Sequence, residues 1–285
     1  MAAITGFGIR PSAFHNVSTL ERATLAPYAL GVTIAIPVYN EERIIEANTK
    51  RLLAYLATLG IEHQLLIGSN GSVDGTVALG RELQRRHPEV EFFHLPERGV
   101  GRAFREFVPR ARFPFLVSLD MDLSSDLSFL EEAIALAGSC AIVVGSKKLG
   151  PQKRSAIRKL ASDTFLWCAR RLTGLPYDDY SIGAKAYDVA FLREFGDRID
   201  AGSSYVLDLC HAATLTGCRV VCIPVACEDR RRSKFSLPRE GIYKFARLFQ
   251  LSLSHARRRQ AAQHREPVHS RVAGVGPAGG GNCAS

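Results

Sequence analysis

Long apolar runs are missing from this chain of 285 residues. A membrane-spanning helix needs about 20 mostly apolar residues. The best candidates are Leu25 to Tyr39, broken by Pro27 and Pro37, and Ala133 to Val144, and neither is long enough. The opening MAAITGFGIRPSAF has no extended apolar core of the kind a secretion signal carries. Cysteine is scarce and odd in number, at seven, which argues against a disulfide framework. Cys218, Cys222 and Cys227 are not spaced as the Cys-x2-Cys of zinc sites, and read as small apolar residues in or beside a strand near Arg219 to Ala226. A reducing cytoplasm is the simplest expected setting, with any membrane contact peripheral.

What is present is enough apolar material, 46% of residues, to bury a sizeable core. The charge is concentrated. Between Arg230 and Arg259 stand ten Lys or Arg residues and one acid, Glu240, a net of +9. The whole chain is also +9, so everything else balances to zero. A near-neutral body with one basic segment suits a local anionic partner better than general nucleic-acid coating, and no nucleic-acid partner is expected.

Strand and helix patterns alternate along the body. Val32 to Ile36 reads as a buried strand that runs into Pro37-Val-Tyr-Asn40, where Asn40, Glu41 and Glu42 suggest a helix start. That helix is expected to run to Leu59 and stop at Gly60. Gln64 to Ile67 reads as a strand, Gly68 to Thr76 as a turn-rich loop, and Thr76 to Arg86 as a helix closed by His87-Pro88. Val90 to His94, a helix over Gly101 to Val108, and a strand over Phe115 to Leu119 follow. Such alternation predicts an α/β fold, a doubly wound and mostly parallel sheet flanked by helices. Ligands then sit outside the carboxyl ends of the strands, where Pro37–Asn40, Ser69–Asp74 and Asp120–Asp126 would converge. The expected layout is an N-terminal extension (1–30), the α/β domain (31–238), a basic amphipathic helix (239–260) and a disordered Gly- and Ala-rich tail (261–285).

The segment Leu116 to Asp126, LVSLDMDLSSD, carries the most chemistry. In a strand, residues i and i+2 point the same way, so Asp120 and Asp122 would face one side. Two carboxylates that close repel and raise one pKa unless a cation lies between them. Mg2+ or Mn2+ suits such oxygen ligands, and typically takes one or two carboxylates plus substrate phosphates. The plain alternative is a strand end with two solvated acids.

Several motifs in order resemble family 2 glycosyltransferases of the GT-A fold, of the dolichyl-phosphate mannose synthase type that loads sugars onto polyprenyl phosphates. They are Ile36-Pro-Val-Tyr-Asn-Glu41, Gly71-Ser-Val-Asp-Gly-Thr76, Asp120-Met-Asp122, Gly145-Ser-Lys147, Arg158-Lys159, Asp179 to Gly183 and Arg230 to Lys234, within roughly Thr33 to Lys234. The resemblance implies a GT-A fold and a donor site for a nucleoside diphosphate sugar at Pro37, Tyr39, Glu41, Ser69, Asn70, Asp120, Arg230 and Lys234. It implies a metal on Asp120 and Asp122, with Ser124 standing where the family often has Gln. Ser69-Asn70 stands where the family usually has two carboxylates, which leaves the donor base open.

Lys147, Arg158 and Ser162 form a second polar set suited to an acceptor phosphate. Arg158 and Ser162, four apart, share a face if that stretch is helical; ordinary surface charge is the alternative. Asp208 is read as a candidate catalytic base, with a structural acid as the other reading. The expected activity is inverting, metal-dependent transfer of a sugar to a polyprenyl phosphate. The alternatives are transfer to a hydroxyl acceptor, or a non-catalytic basic module binding membrane or nucleic acid. Finally, Ile242, Phe245, Ala246, Phe249, Leu253 and Ala256 recur at helical spacing with Lys244, Arg247 and Arg258 opposite. Such a helix suits an anionic membrane surface, or packs its apolar face on the protein's own core.

Overall fold

A computed structural model describes residues 31–147, 149, 152–153, 156–177, 179–180, 182–228 and 241–253. Seven strands form the main sheet: β1 (Val32–Val38), β2 (His63–Asn70), β3 (Val90–Leu95), β4 (Phe115–Ser118), β5 (Ile142–Ser146), β7 (Lys185–Asp188) and β8 (Val220–Pro224). Two short strands, β6 (Gln152–Lys153) and β9 (Cys227–Glu228), pair beside it. The order across the main sheet is β3-β2-β1-β4-β7-β5-β8. All neighbours are parallel except β7, which runs against both β4 and β5.

Alternation along the strands separates two apolar layers. Val32, Ile34, Ile36 and Val38 point to one side with Leu65, Ile67 and Val117, against Ile45, Leu52 and Leu56 of helix α1 (Ile45–Leu59). Ala35, Leu66, Leu116, Ile142 and Val144 point to the other. There they meet Phe104 and Phe107 of α3 (Val100–Arg110) and Leu207 and Leu209 of α7 (Tyr205–Leu215). Helices α2 (Thr76–Arg86), α4 (Ser128–Ala135), α5 (Ala156–Thr173) and α6 (Val189–Phe195) complete the body. Burying each such aliphatic or aromatic side chain contributes about 1.5–3 kcal/mol.

Most expected elements are found within a residue or two of their predicted bounds. Helix α1 ends on Gly60 at φ 65°, as a left-handed stop should. Two boundaries differ. The first helix starts at Ile45, not Asn40, because Asn40 and Glu41 are committed elsewhere: Val73 N–H donates to Asn40 Oδ1 at 2.8 Å, and Glu41 N–H to Thr76 Oγ1 at 2.7 Å. Strand β2 continues through Ser69 and Asn70, expected as loop, because β3 pairs with it as far as Leu95. The six cysteines described are all free, as the sequence implied. No described helix is long and apolar enough to cross a membrane.

Residues 241–253 are helical and pack on the body. Of the two orientations left open by its periodicity, the helix keeps much of its apolar stripe outward. Leu248 is buried in the core and Arg247 points inward, while Ile242 (74%), Phe249 (59%) and Leu253 (46%) stay exposed.

Candidate active site

The register sets the carboxyl-end edge. Val38 lies opposite Ser69, Ser69 opposite His94, and Ala35 opposite Ser118, so the loops after β1, β2, β3 and β4 leave the sheet together. The first two are laced to each other. Asn40 N–H donates to Ser72 Oγ at 3.0 Å, Gly75 N–H to Glu42 Oε2 at 2.9 Å, and Glu42 N–H to Asp74 Oδ2 at 3.3 Å. Asn40 adopts φ 53°, which Asn tolerates better than most residues. Tyr39 lies partly exposed under Arg98, whose guanidinium carbon is 4.1 Å from the ring centroid. Pro37 and Glu41 are half-buried in the same loop.

Ser69 and Asn70 are buried, and both are employed within the protein. Ser69 Oγ donates to Ser72 Oγ at 2.9 Å and lies 3.1 Å from His94 Nδ1. Asn70 spans two loops: its Nδ2 donates to Val38 O at 2.9 Å and its Oδ1 accepts from Gly99 N–H at 3.1 Å. An amide, with a donor at one end and an acceptor at the other, can make both contacts; a carboxylate, acceptor only, cannot.

The acid pair is set by a turn after β4. Met121 is buried and its carbonyl accepts from Asn48 Nδ2 at 2.9 Å, which fixes the residue between the two acids. Leu123 adopts φ 46°, a conformation that costs a bulky residue energy and persists only where the surroundings impose it. Ser124 N–H donates to Asp122 Oδ1 at 3.1 Å. Gly183 N–H donates to Asp120 Oδ2 at 3.1 Å, and a Cβ on Gly183 would land on that carboxylate. Solvent reaches Asp120, yet it lies low among protein atoms. Desolvation and then repulsion from Asp122 raise its pKa, opposed by Lys147 and Lys185.

The reversed strand explains Lys185. Because β7 runs antiparallel, its first residue, Lys185, sits opposite Ser118 of β4 and Val144 of β5, at the acid-bearing edge. Lys185 is 1% exposed, and its ammonium donates to Ile182 O. Burial pulls its pKa down to about 8, with Asp179 and Asp120 pulling the other way. Asp179 Oδ1 accepts from Ile182 N–H at 3.2 Å, so the turn before β7 is tied at both ends. Lys147, just after β5, is half-buried and acts electrostatically on both Asp120 and Lys185. Lys185 was missed from sequence; a lysine two residues after Gly183, at the start of a short strand, was the available signal.

The other expected residues are distributed differently. Arg158 lies in the first turns of α5, whose helical run puts Ser162 on the same face; Ser162 is half-buried. The side chain of Arg158, and all of Arg230 and Lys234, lie outside the described residues. Asp208, the candidate base, is engaged in an ion pair. Arg247 Nε contacts its Oδ1 and Oδ2 at 3.1 and 3.2 Å, and Arg247 Nη2 reaches Oδ2 at 3.1 Å. Burial still raises the Asp208 pKa to about 6 against the pull of Arg247.

The donor set fits a hard divalent ion that takes its remaining ligands from a substrate. Two adjacent carboxylates meet at an accessible edge, and among the described residues no group of three or more His, Cys, Asp or Glu forms a closed cage. The group would be held by Asp120 and Asp122, with Ser124 beside them.

Residues 33–183 match the family described as Glycosyl transferase family 2. Among curated relatives, the undecaprenyl-phosphate 4-deoxy-4-formamido-L-arabinose transferase of Pectobacterium carotovorum is 29% identical over 158 residues, 55% of this chain and 48% of that protein. Glycosyltransferase AglD of Haloferax volcanii is 26% identical over 233 residues, 77% of this chain and 37% of its own. The chain thus spans about half or less of the length of these relatives. In fold it is similar to glucosyl-3-phosphoglycerate synthase of Mycobacterium tuberculosis, solved with UDP, at TM-score 0.58 and 18% identity over 78% of this chain and 80% of that one. It is also similar to mannosyl-3-phosphoglycerate synthase of Rubrobacter xylanophilus, at TM-score 0.60 and 13% identity over 86% and 79%. These neighbours share the mostly parallel GT-A sheet. The family match runs from the second residue of β1 to the glycine that grips Asp120, taking in the loops after β1 and β2 and the acid pair alike, and the chain belongs to glycosyl transferase family 2.

Proposed function

We propose that this glycosyltransferase moves a sugar, with inversion, from a nucleoside diphosphate sugar to a polyprenyl phosphate at the cytoplasmic face of a membrane. The observation that carries the reading is the shared edge: Asp120 and Asp122 on one side, Lys147 and buried Lys185 on the other. Acids suited to a cation, with lysines beside them, fit a site that handles two phosphate-bearing partners. The curated relative from Pectobacterium is named for undecaprenyl phosphate. The Mycobacterium enzyme, a fold relative, has been crystallised with Mn2+ and UDP-glucose.

In this reading the loops at Pro37, Tyr39, Glu41, Ser69 and Asn70 seat the nucleoside. Asp120 and Asp122, with Ser124, hold Mg2+ or Mn2+, which when bound neutralises the diphosphate as it departs. Arg230 and Lys234 add positive charge over the same phosphates. Lys147, Arg158 and Ser162 orient the acceptor phosphate. One of its oxygens forms a bond to the sugar anomeric carbon while the bond from that carbon to the diphosphate oxygen breaks, and the diphosphate leaves with the electron pair. No proton need be removed, because a phosphate monoester is already anionic near neutral pH, its second pKa being about 6.

A hydroxyl acceptor would need a carboxylate base. Asp208, the candidate for it, is held by Arg247, which favours the phosphate. The exposed stripe of Ile242, Phe249 and Leu253, within the +9 segment, supplies a surface for anionic lipid, so the protein is proposed to be peripheral on the membrane.

The test has two stages. A thermal-shift panel of nucleotide sugars with Mn2+ identifies the donor, and transfer is then compared between a polyprenyl phosphate and simple hydroxyl acceptors. Transfer to the lipid phosphate is expected; transfer confined to hydroxyl acceptors would replace this reading.

A further inference from the structure

We infer that helix 241–253 is a strap that holds the donor loop in shape, with Tyr243 and Arg247 as positioning residues for nucleotide binding. The inference rests on the donor site proposed above. It starts from the glycines at the entrance to α3. Gly99 and Gly101 carry no side chain to anchor them, and the backbone of residues 200–202 fills the space where side chains would stand. A Cβ on Gly99 would lie 2.6 Å from the Ala201 carbonyl oxygen. One on Gly101 would fall on the Asp200 carbonyl oxygen and lie 2.6 Å from that of Gly202. Arg102 N–H donates to Ala201 O at 3.3 Å and Arg105 Nε to Ile199 O at 2.6 Å. The turn 98–102 is therefore moulded on the segment 199–202.

That segment is in turn pressed from its other side by the helix. Tyr243 OH donates to Asp200 Oδ2, and the Tyr243 ring covers Gly202, where a Cβ would meet ring carbons at 2.6 and 2.8 Å. One turn further along, Arg247 clasps Asp208 at the start of α7. Leu248 is buried in the core beneath. The contacts continue without a gap into the donor loops. Gly99 N–H is the donor to Asn70 Oδ1, Asn70 Nδ2 holds Val38 O, and Arg98 stacks on Tyr39. A shift of 200–202 must move Gly99, and with it the Asn70 clamp and the Arg98–Tyr39 pair. Coupling of this kind needs a contiguous chain of packed groups, and here every link is a named contact.

The experiment uses the full chain, with UDP and GDP as probes in the presence of Mn2+. Nucleotide affinity is measured by calorimetry, and amide hydrogen exchange is followed over 98–103. Tyr243→Phe and Arg247→Gln are each expected to weaken nucleotide binding and speed exchange at 98–103 by about tenfold, with Arg247→Lys losing about threefold. Lys50→Gln, on α1 far from the strap, is expected to change neither. Because Arg247→Gln leaves Asp208 buried without its partner, the charge-free pair Asp208→Asn with Arg247→Gln is run beside it and is expected to show the same exchange. Variants that free the helix but leave 98–103 exchange and nucleotide affinity at wild-type values would overturn the strap. If the wild-type protein binds neither nucleotide, the donor reading fails on its own, and exchange at 98–103 alone decides the strap: faster in Tyr243→Phe supports it, unchanged refutes it.

Discussion

The two halves of the sheet build the same edge by different means. In β1 to β4 every strand is parallel, and the loops at the edge follow their strands directly in sequence. In the second half, β7 is inserted backwards between β4 and β5, and its leading residues arrive at the edge from a distant part of the chain. The first half presents acids and hydrogen-bonded loops, and the second presents cations. A parallel strand offers its C-terminal residues to the ligand side, whereas an antiparallel one offers its N-terminal residues. One reversed strand is enough to place Gly183 and Lys185 against Asp120.

The sharpest way to test that division is to remove an acid from the first half. Asp122→Asn is expected to lower transfer by about a hundredfold or more, the scale seen when one well-placed electrostatic group is lost, and to weaken Mn2+ dependence. The fold should persist, since the pair stands at a turn outside the apolar layers. Equal turnover and equal Mn2+ dependence in the mutant would show that the acids do not hold the metal.

Next in size is a cation from the second half. Arg158→Ala is expected to cost about ten- to a hundredfold in transfer by loosening acceptor orientation. Asp208→Asn should cost much less activity, because its carboxylate is engaged with Arg247, though it should lower the melting temperature. If instead Asp208→Asn abolished transfer and Arg158→Ala were tolerated, the second half would be supplying a base and not a phosphate cradle.

A smaller effect concerns Lys185 and is read in stability. Its folded pKa, about 8, lies below the ordinary lysine value of 10.5. Between those values the unfolded chain binds more protons than the folded one, so this residue makes stability rise as pH increases through that window. Lys185→Met should remove that rise, about 1–3 kcal/mol between pH 7 and pH 10.5, as seen in urea titrations of the two proteins side by side. A parallel pH dependence in both would mean that the ammonium is not held as the structure places it.

The smallest effect on the isolated enzyme is expected from the outward stripe. Replacing Ile242 and Phe249 together by Ser should leave turnover of a water-soluble acceptor analogue unchanged while reducing flotation with anionic liposomes. Flotation equal to wild type would count against the membrane surface.

Much of the first half was legible because its signals are local. Period-two apolar runs end in Pro37-Val-Tyr-Asn40 and Asp120-Met-Asp122, although Asp120 and Asp122 stand beyond the end of β4, in a turn around buried Met121, and not on the pleated strand face expected from their spacing. Gly60 marks a helix end by its own backbone freedom. The sequence by itself therefore determined the alternating α/β fold, the converging loops, the acid pair and the family. The tertiary structure decided what depends on partners far apart in the chain. Asn70 became a clamp because Val38 and Gly99 converge on it, 32 and 29 residues away. Asp208 became an ion-pair partner because Arg247, 39 residues later, folds back onto it. Lys185 reached the acids only because β7 runs in reverse. Helical periodicity found two faces in 241–253 but could not say which would be buried, because both faces were credible. Arg247 and Leu248 had waiting partners on the body, and so the apolar stripe was left outside.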